Sequence, residues 1–255
     1  MAQASPHNFA NASSLNNSRL IRFLSEISIS EIEVTNKHFA ERLGRLIDLS
    51  DSVSLSESLR GLPRLRFEPE SLQISDIQEA FLSQRSTIVT SIASSFLASP
   101  GKIRFKLPRP KVTASLEDAT DFSVYQRFYA VHQSEMASKI QKLRIDTRQA
   151  VAGVSAELAQ LAEIDKALGN CLSVHTRNFF AVIPKLLKVR FNYLLNEHHH
   201  SAGVDEPIEN WLQPGAWLDK FYSEMQQLLL AELEVRLQPI LGLVEALNEE
   251  VSKSK

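Results

Sequence analysis

The run WLDKFYSEMQQLLLAELEVRLQPILGLVEAL, residues 217–247, decides the fold class of this chain. Its apolar residues recur at steps of three and four, which is the spacing of one helical face. Two heptad-like runs separated by a phase shift predict one long helix with a bend at Pro239. The stripe could form an interface between copies of the chain or face the core of one chain. The core is favoured because the other predicted helices need a surface to pack against. The stripe comprises Leu218, Phe221, Met225, Leu228, Leu233, Leu237, Ile240, Val244 and Leu247.

A second long helix is predicted upstream, because the same spacing continues from Phe122 to Val151. At 1.5 Å per residue this helix would span roughly 45 Å, which suits a bundle better than a compact α/β core. A shorter helix is predicted around residues 158–168. Another is predicted over residues 173–194, where Pro184 should kink the helix or mark a local break.

The N-terminal part is predicted to form a smaller helical lobe, residues 18–112, in front of a helical bundle, residues 113–255. Residues 1–17 are rich in Asn, Ser and Ala and predict a disordered tail. Alternating residues at 64–67 and 102–107 are typical of short edge strands or extended arms. With only 8 Gly in the chain and few β-branched clusters, the predicted fold is all-α, an antiparallel helical bundle with long C-terminal helices.

Composition excludes several classes of protein. The chain has 255 residues, of which 44% are hydrophobic and 23% charged, enough to bury a core as one domain or two small ones. The single cysteine rules out a disulfide framework. No secretion signal is recognisable, and no apolar run reaches the ~18 residues of a membrane span. We therefore expect a cytoplasmic protein that does not insert into a membrane.

A basic segment, residues 102–111, is the clearest candidate for a contact site. It would offer cations to nucleic-acid phosphates, with an aromatic ring to stack on a base, or would meet an acidic protein surface. A third interpretation is favoured, in which the segments are edge strands kept soluble by their charges. Nucleic-acid binding is the least favoured, because the net charge of -2 gives it no support. The candidate residues are Arg64, Arg66, Lys102, Arg104, Phe105, Lys106, Arg109 and Lys111.

Three consecutive histidines at residues 198–200, beside Glu197, Asp205 and Glu206, form a candidate metal site, because imidazole and carboxylate bind zinc or nickel. Adjacent residues on a helix point in different directions, however, and protonated histidine is favourable near a helix C-terminus. Solvated histidines at a helix end are therefore favoured over a metal site.

Signatures of catalysis are missing from the sequence. Cys171 and His175 share a helical face, but two such groups without a third to orient them favour a partly buried free cysteine. The sequence contains no GxSxG, GxxxxGK, GxGxxG or HExxH pattern. We expect a protein that is not an enzyme and that holds neither a cofactor nor a metal.

Three blocks of the chain resemble a known family. They are SRLIRFL at residues 18–24, FAERLGRLIDLSDSVSLSESL at residues 39–59 and AWLDKFYSEMQQLLLAELEVRLQPILGLVEAL at residues 216–247. They are similar to the domain of unknown function 3348 family of proteobacteria. The C-terminal block is the most distinctive, whereas the basic segment and the histidines match no family motif.

The resemblance implies a role in defence against phage. Members of the family are encoded beside a MotA/TolQ-like membrane protein and an OmpA-like, peptidoglycan-binding partner, an arrangement that looks like the type III Zorya system. The implied role is an intracellular accessory or effector component working with that membrane motor. The resemblance carries over no catalytic residue. Action on phage DNA, docking on the motor or its soluble partners, and regulation of another component all stay open. Assembly as a homo-oligomer stays open as well.

Overall fold

The computed structural model describes residues 19–20, 22, 49–65, 67, 74–97, 105–202 and 206–253. Helices dominate this part of the chain, and short 3-10 turns lie at Leu62–Arg64 and Ile208–Leu212. The α-helices are α1 (Leu49–Gly61), α2 (Ile74–Phe96), α3 (Leu116–Ala119), α4 (Ser123–Ala152), α5 (Ala156–Cys171), α6 (Ser173–Phe180), α7 (Ile183–Ala202) and α8 (Trp217–Lys253).

Helix α8 is the centre of the bundle. It has 37 residues and packs against α2, α4, α5 and α7. It begins at Trp217, as predicted, and continues through Pro239 as one helix. All nine residues of the predicted apolar stripe are buried, so the stripe faces the core. The all-α bundle predicted from this stretch is confirmed.

Helix α4 is the second long helix that packs around the core. Its 30 residues bury the predicted stripe, including Tyr125, Phe128, Met136 and Val151. Three residues separate α4 from α5, and the hydroxyl of Ser155 caps α5 by accepting a hydrogen bond from Leu158 N at 3.2 Å. The short link brings α5 back against α4, as in a helical hairpin.

The predicted edge strands are wrong for the residues that the structure describes there. Pro63 lies in the 3-10 turn that follows α1, because it cannot supply the amide that a continued helix needs. The segment from Phe105 lies along α2, and Leu107 donates its amide hydrogen to Ser95 O at 2.9 Å. Arg66 and residues 102–104 lie outside the described residues.

Pro184 marks the predicted break. Helix α6 ends at Phe180, two residues form a turn, and α7 begins at Ile183 with Pro184 in its first turn, where a missing amide hydrogen costs nothing. Helix α7 extends to Ala202. The histidines at residues 198–200 therefore belong to its last turns.

Most of the predicted N-terminal elements lie outside the described residues, including the tail at residues 1–17 and the first two helices. Arg19, Leu20 and Arg22 are described. Leu20 is buried in the same hydrophobic cluster as side chains of α2, α4, α7 and α8. The division at residue 112 stays a prediction. Within the described ranges, no helix is long and apolar enough to cross a membrane.

Candidate interaction surface

An apolar strip runs along the outer face of α6 and α7. The exposed fractions of Phe179, Val182, Val189 and Tyr193 are 47%, 45%, 51% and 38%. Leu186, which is partly buried, lies between them, and the steps of three and four place Leu186, Val189 and Tyr193 on one face of α7, with Val182 in the turn directly before the helix. We call Phe179, Val182, Leu186, Val189 and Tyr193 the α7 strip.

The α7 strip is distinct from the face that α7 buries. Ile183, Leu187, Phe191 and Leu194 lie in the core, each at most 3% exposed. A helix at the surface of a bundle normally has one apolar face and one polar face. Helix α7 has a second apolar face, and an exposed apolar patch of this kind is typical of an interaction site.

Positive charge predominates around the strip, and an acidic contact lies at its C-terminal end, where Tyr193 donates a hydrogen bond to Glu197 at 2.6 Å. No Asp or Glu occurs between Asp165 and Glu197. Arg177, Lys185 and Lys188 are exposed, and none has an ion-pair partner among the described residues. Lys185 borders the strip, three residues after Val182 and four before Val189, and Lys188 lies three residues beyond Lys185 on α7. The surface therefore combines apolar side chains with three exposed cations that form no ion pair within the described part of the chain.

An ion pair holds α7 to the centre of the bundle. Arg190 donates two hydrogen bonds to Glu224 of α8, at 2.8 and 2.7 Å. Hydrogen bonding to this carboxylate raises the pKa of Arg190. Both side chains are mostly buried. Two hydrogen bonds restrict the rotation of α7 about its axis more than one hydrogen bond would. Val189 precedes this anchor and Tyr193 follows it, so the strip is held in a defined orientation.

The buried carboxylate of Glu232 binds side chains that contact the end of α6. Glu232 is 0% exposed and pairs with Arg236, whose guanidinium nitrogens lie 2.6 and 2.8 Å from Glu232 Oε1. Tyr129 donates to Oε2 at 2.9 Å, and Gln133 donates to both oxygens at 3.0 and 3.1 Å. Four donors of this kind satisfy a buried charge that would otherwise be very costly.

The same network holds Phe180 inward. Gln133 donates to Phe180 O at 3.0 Å, and the guanidinium carbon of Arg236 lies 3.8 Å from the centre of the Phe180 ring. Phe180 is 4% exposed, whereas its neighbour Phe179 is 47% exposed. Gln133 and Arg236, both bound to Glu232, thus contact the phenylalanine in the core, whereas Phe179 stays on the strip.

Tyr129 is a permanent donor in this network. Burial raises the pKa of Tyr129 well above its usual range, and the adjacent Glu232 carboxylate raises it further. The phenol therefore stays protonated at neutral pH and keeps its hydrogen bond to Glu232.

The histidine cluster differs from its prediction. His198 is packed rather than solvated: its ring stacks on Trp217 with centroids 5.8 Å apart and lies 6.0 Å from the Trp211 ring. Glu206 Oε2 lies 3.1 Å from His198 Nε2, outside hydrogen-bond geometry, and the two form an ion pair only when His198 is protonated. Asp205 lies outside the described residues. Within the described residues, no group of three or more His, Cys, Asp and Glu is arranged to hold a metal ion.

Two histidines, the buried His132 and the partly buried His198, make stability depend on pH. Burial lowers the pKa of His132, with Glu135 opposing it, and burial likewise lowers the pKa of His198, where Glu206 opposes and His199 adds to the shift. Because the unfolded chain binds these protons more readily, folding is favoured most above about pH 6.5 and loses free energy as the pH falls below that value.

We expect the free energy of unfolding to decrease between about pH 7 and about pH 5. His132→Leu should flatten this dependence because it removes one of the two imidazoles with a lowered pKa, from an apolar site beside Phe128 and Phe105. Urea unfolding at a series of pH values measures the effect, with His200→Gln, an exposed position, as control. A pH dependence that is identical in His132→Leu and the wild type would contradict the assignment.

The predicted basic segment is only partly described. Lys106, Arg109 and Lys111 are exposed, and Arg109 donates to Phe96 O at 3.4 Å. Phe105 is partly buried, with its ring 6.0 Å from that of His132. Arg64 is exposed on the turn after α1, whereas residues 105–111 lie along α2. Arg66, Lys102 and Arg104 lie outside the described residues.

Cys171 is a buried free cysteine, and its thiol lies 3.6 Å from Asp51 O on α1. It helps to join α1 to α5. His175, four residues on, is partly exposed.

Sequence reasoning missed the α7 strip and the Glu232 network. One signal of the strip was readable, the absence of acidic residues between Asp165 and Glu197. The Glu232 network had no such signal, because Tyr129 and Gln133 lie about a hundred residues from Glu232 in sequence.

The fold and this surface define the chain as an all-α helical-bundle protein with an exposed apolar and basic helix face. The protein belongs to the family described as protein of unknown function (DUF3348), whose family model matches residues 1–249. The family predicted from the three sequence blocks is thereby confirmed. No curated protein and no solved structure matches the chain.

Proposed function

We propose that the protein is a non-enzymatic interaction component of a Zorya-type anti-phage defence system, acting in the cytoplasm. It docks onto another component of the system through the α7 strip. The observation that carries this proposal is the second apolar face of α7, with Val182 and Val189 about half exposed beside Lys185 and Lys188. Apolar side chains on a fixed helix are better suited to holding a partner than to remaining in water.

The family suggests which partners to test. The MotA/TolQ-like and OmpA-like proteins associated with the family would form the membrane motor, and this chain would act as its accessory or effector. Docking needs no catalytic group, and the elements that hold the strip are structural: the Arg190 to Glu224 pair and the Glu232 network. Such a component would relay the state of the motor through contact.

The proposal is tested by recovering the tagged protein from cells that carry its neighbouring genes, with and without nuclease. We expect a motor subunit or one of its soluble partners to co-purify in both samples, and deletion of the gene to remove protection against phage. If no product of the neighbouring genes is recovered and protection survives the deletion, the proposal is wrong.

A second candidate function is binding of phage DNA through residues 102–111, which would make the protein the effector. The exposure of Lys106, Arg109 and Lys111 favours it. It predicts DNA binding that weakens with salt and weakens further when Arg104, Lys106 and Arg109 are changed to Ala. Anisotropy of labelled duplex DNA measures this, with exposed Lys142→Ala as control. Binding unaffected by the triple change would exclude this segment.

A further inference from the structure

We infer that the occupant of the α7 strip is an acidic amphipathic helix of a partner protein. This inference rests on the proposed function, because it specifies the chemistry of the partner that docks there. It follows from three properties of the strip: its spacing, its charge and its rigid support.

The spacing of the strip residues favours a helix as the partner segment. Val182, Leu186, Val189 and Tyr193 follow steps of four, three and four residues, the alternation that two helices use to interlock side chains. At 1.5 Å per residue, these positions span roughly 16 Å along one line. A partner helix with apolar residues at the same alternation covers such a line, leaving its flanks free to meet the neighbouring charges.

The charge selects an acidic partner. No Asp or Glu occurs between Asp165 and Glu197, so Arg177, Lys185 and Lys188 are the exposed charges of this part of the chain, and the carboxylate that contacts the strip among the described residues is Glu197, bound to Tyr193. Opposite charges across an interface steer association and suppress wrong partners, and like charges are unfavourable. A second copy of this chain would bring the same cations against each other, so the charge disfavours self-association through this face.

The support makes the surface ready to bind. Arg190, next to Val189 on α7, is fixed to Glu224, and Phe180, next to Phe179, is fixed by Gln133 and Arg236, so the backbone that carries the strip is held in place. Side chains already held in place lose little conformational freedom on association. The partner therefore meets a formed surface and supplies the complementary apolar stripe.

The test uses the full-length protein and two synthetic helical peptides that share apolar positions at alternating steps of three and four. One peptide carries Glu at the flanking positions and the other carries Lys. Fluorescence anisotropy measures binding to the wild type, to Lys185→Glu/Lys188→Glu and to the control Lys142→Glu, an exposed cation on α4. Co-sedimentation with phosphatidylglycerol/phosphatidylcholine vesicles tests a lipid surface as the alternative occupant.

We expect the Glu peptide to bind the wild type and the Lys142→Glu protein equally, and about tenfold more weakly to Lys185→Glu/Lys188→Glu. The Lys peptide should bind the charge-reversed protein better than the wild type. Equal binding of both peptides to the wild type overturns the inference, as does a failure of both to bind or binding of vesicles in place of the Glu peptide.

This outcome is separable from that of the proposed function. If the Glu peptide binds as expected but no neighbouring gene product co-purifies, the surface chemistry stands and the assignment to the defence system fails. If a motor component co-purifies but neither peptide binds, the function stands and the acidic-helix inference fails.

Discussion

Glu232→Ala is expected to lower the free energy of unfolding by about 3–5 kcal/mol. The substitution removes the acceptor of Tyr129, Gln133 and Arg236 and leaves a nearly buried guanidinium without its carboxylate. It also frees Arg236 from the position in which it covers the Phe180 ring. Breaking one side of a buried ion pair costs more than the pair contributes, because the remaining charge stays desolvated.

Urea unfolding followed by circular dichroism measures this loss. The matched control is Glu234→Ala, two residues along the same helix, where the side chain is 40% exposed and lies 3.6 Å from Arg19. Exposed pairs of this kind contribute at most about 1 kcal/mol. Equal losses in the two variants would show that the Glu232 network does not hold the bundle together.

Phe191→Ala is the second substitution with a large expected effect, a loss of about 3–5 kcal/mol. The Phe191 ring is 0% exposed and meets four other aromatic rings at centroid distances of 5.1 to 5.5 Å. Removing it leaves a cavity where α4, α7 and α8 meet. The surrounding rings are Phe122, Tyr125, Trp217 and Phe221.

Tryptophan fluorescence during urea unfolding reports on this site, because Trp217 touches the Phe191 ring. The control is Val189→Ala on the same helix, where the side chain is 51% exposed and the change should stay within about 0.5 kcal/mol. If the two variants unfold at the same urea concentration, the inward face of α7 is assigned wrongly.

The two long helices were predictable because their apolar period is local information. Every residue of the α8 stripe is buried, and the α4 stripe is buried from Phe122 to Val151. The end of α6 was predictable from Pro184, whose missing amide hydrogen suits only the first turn of a helix. Each of these features depends on residues within a few turns of one another.

The candidate surface was less predictable. Over residues 173–194 the sequence shows apolar residues on two faces of one segment, and periodicity alone does not say which face the bundle covers. The structure buries Ile183 and Leu187 and exposes Phe179 and Val182. The partners that decide this, Gln133 and Arg236, come from α4 and α8. Likewise, His198 is partly buried because two tryptophans from later in the chain pack on it.

Co-purification of surface variants with the neighbouring gene products tests the central claim most directly. Tagged wild type, Val182→Asp/Val189→Asp and the control Leu82→Asp, whose side chain on α2 is 60% exposed, would be recovered from the same cells and compared by quantitative mass spectrometry. We predict that a charge on the α7 strip reduces recovery of the partner at least tenfold, that Leu82→Asp leaves recovery unchanged, and that all three proteins unfold at similar urea concentrations. Undiminished recovery with the folded Val182→Asp/Val189→Asp protein would contradict docking through this strip.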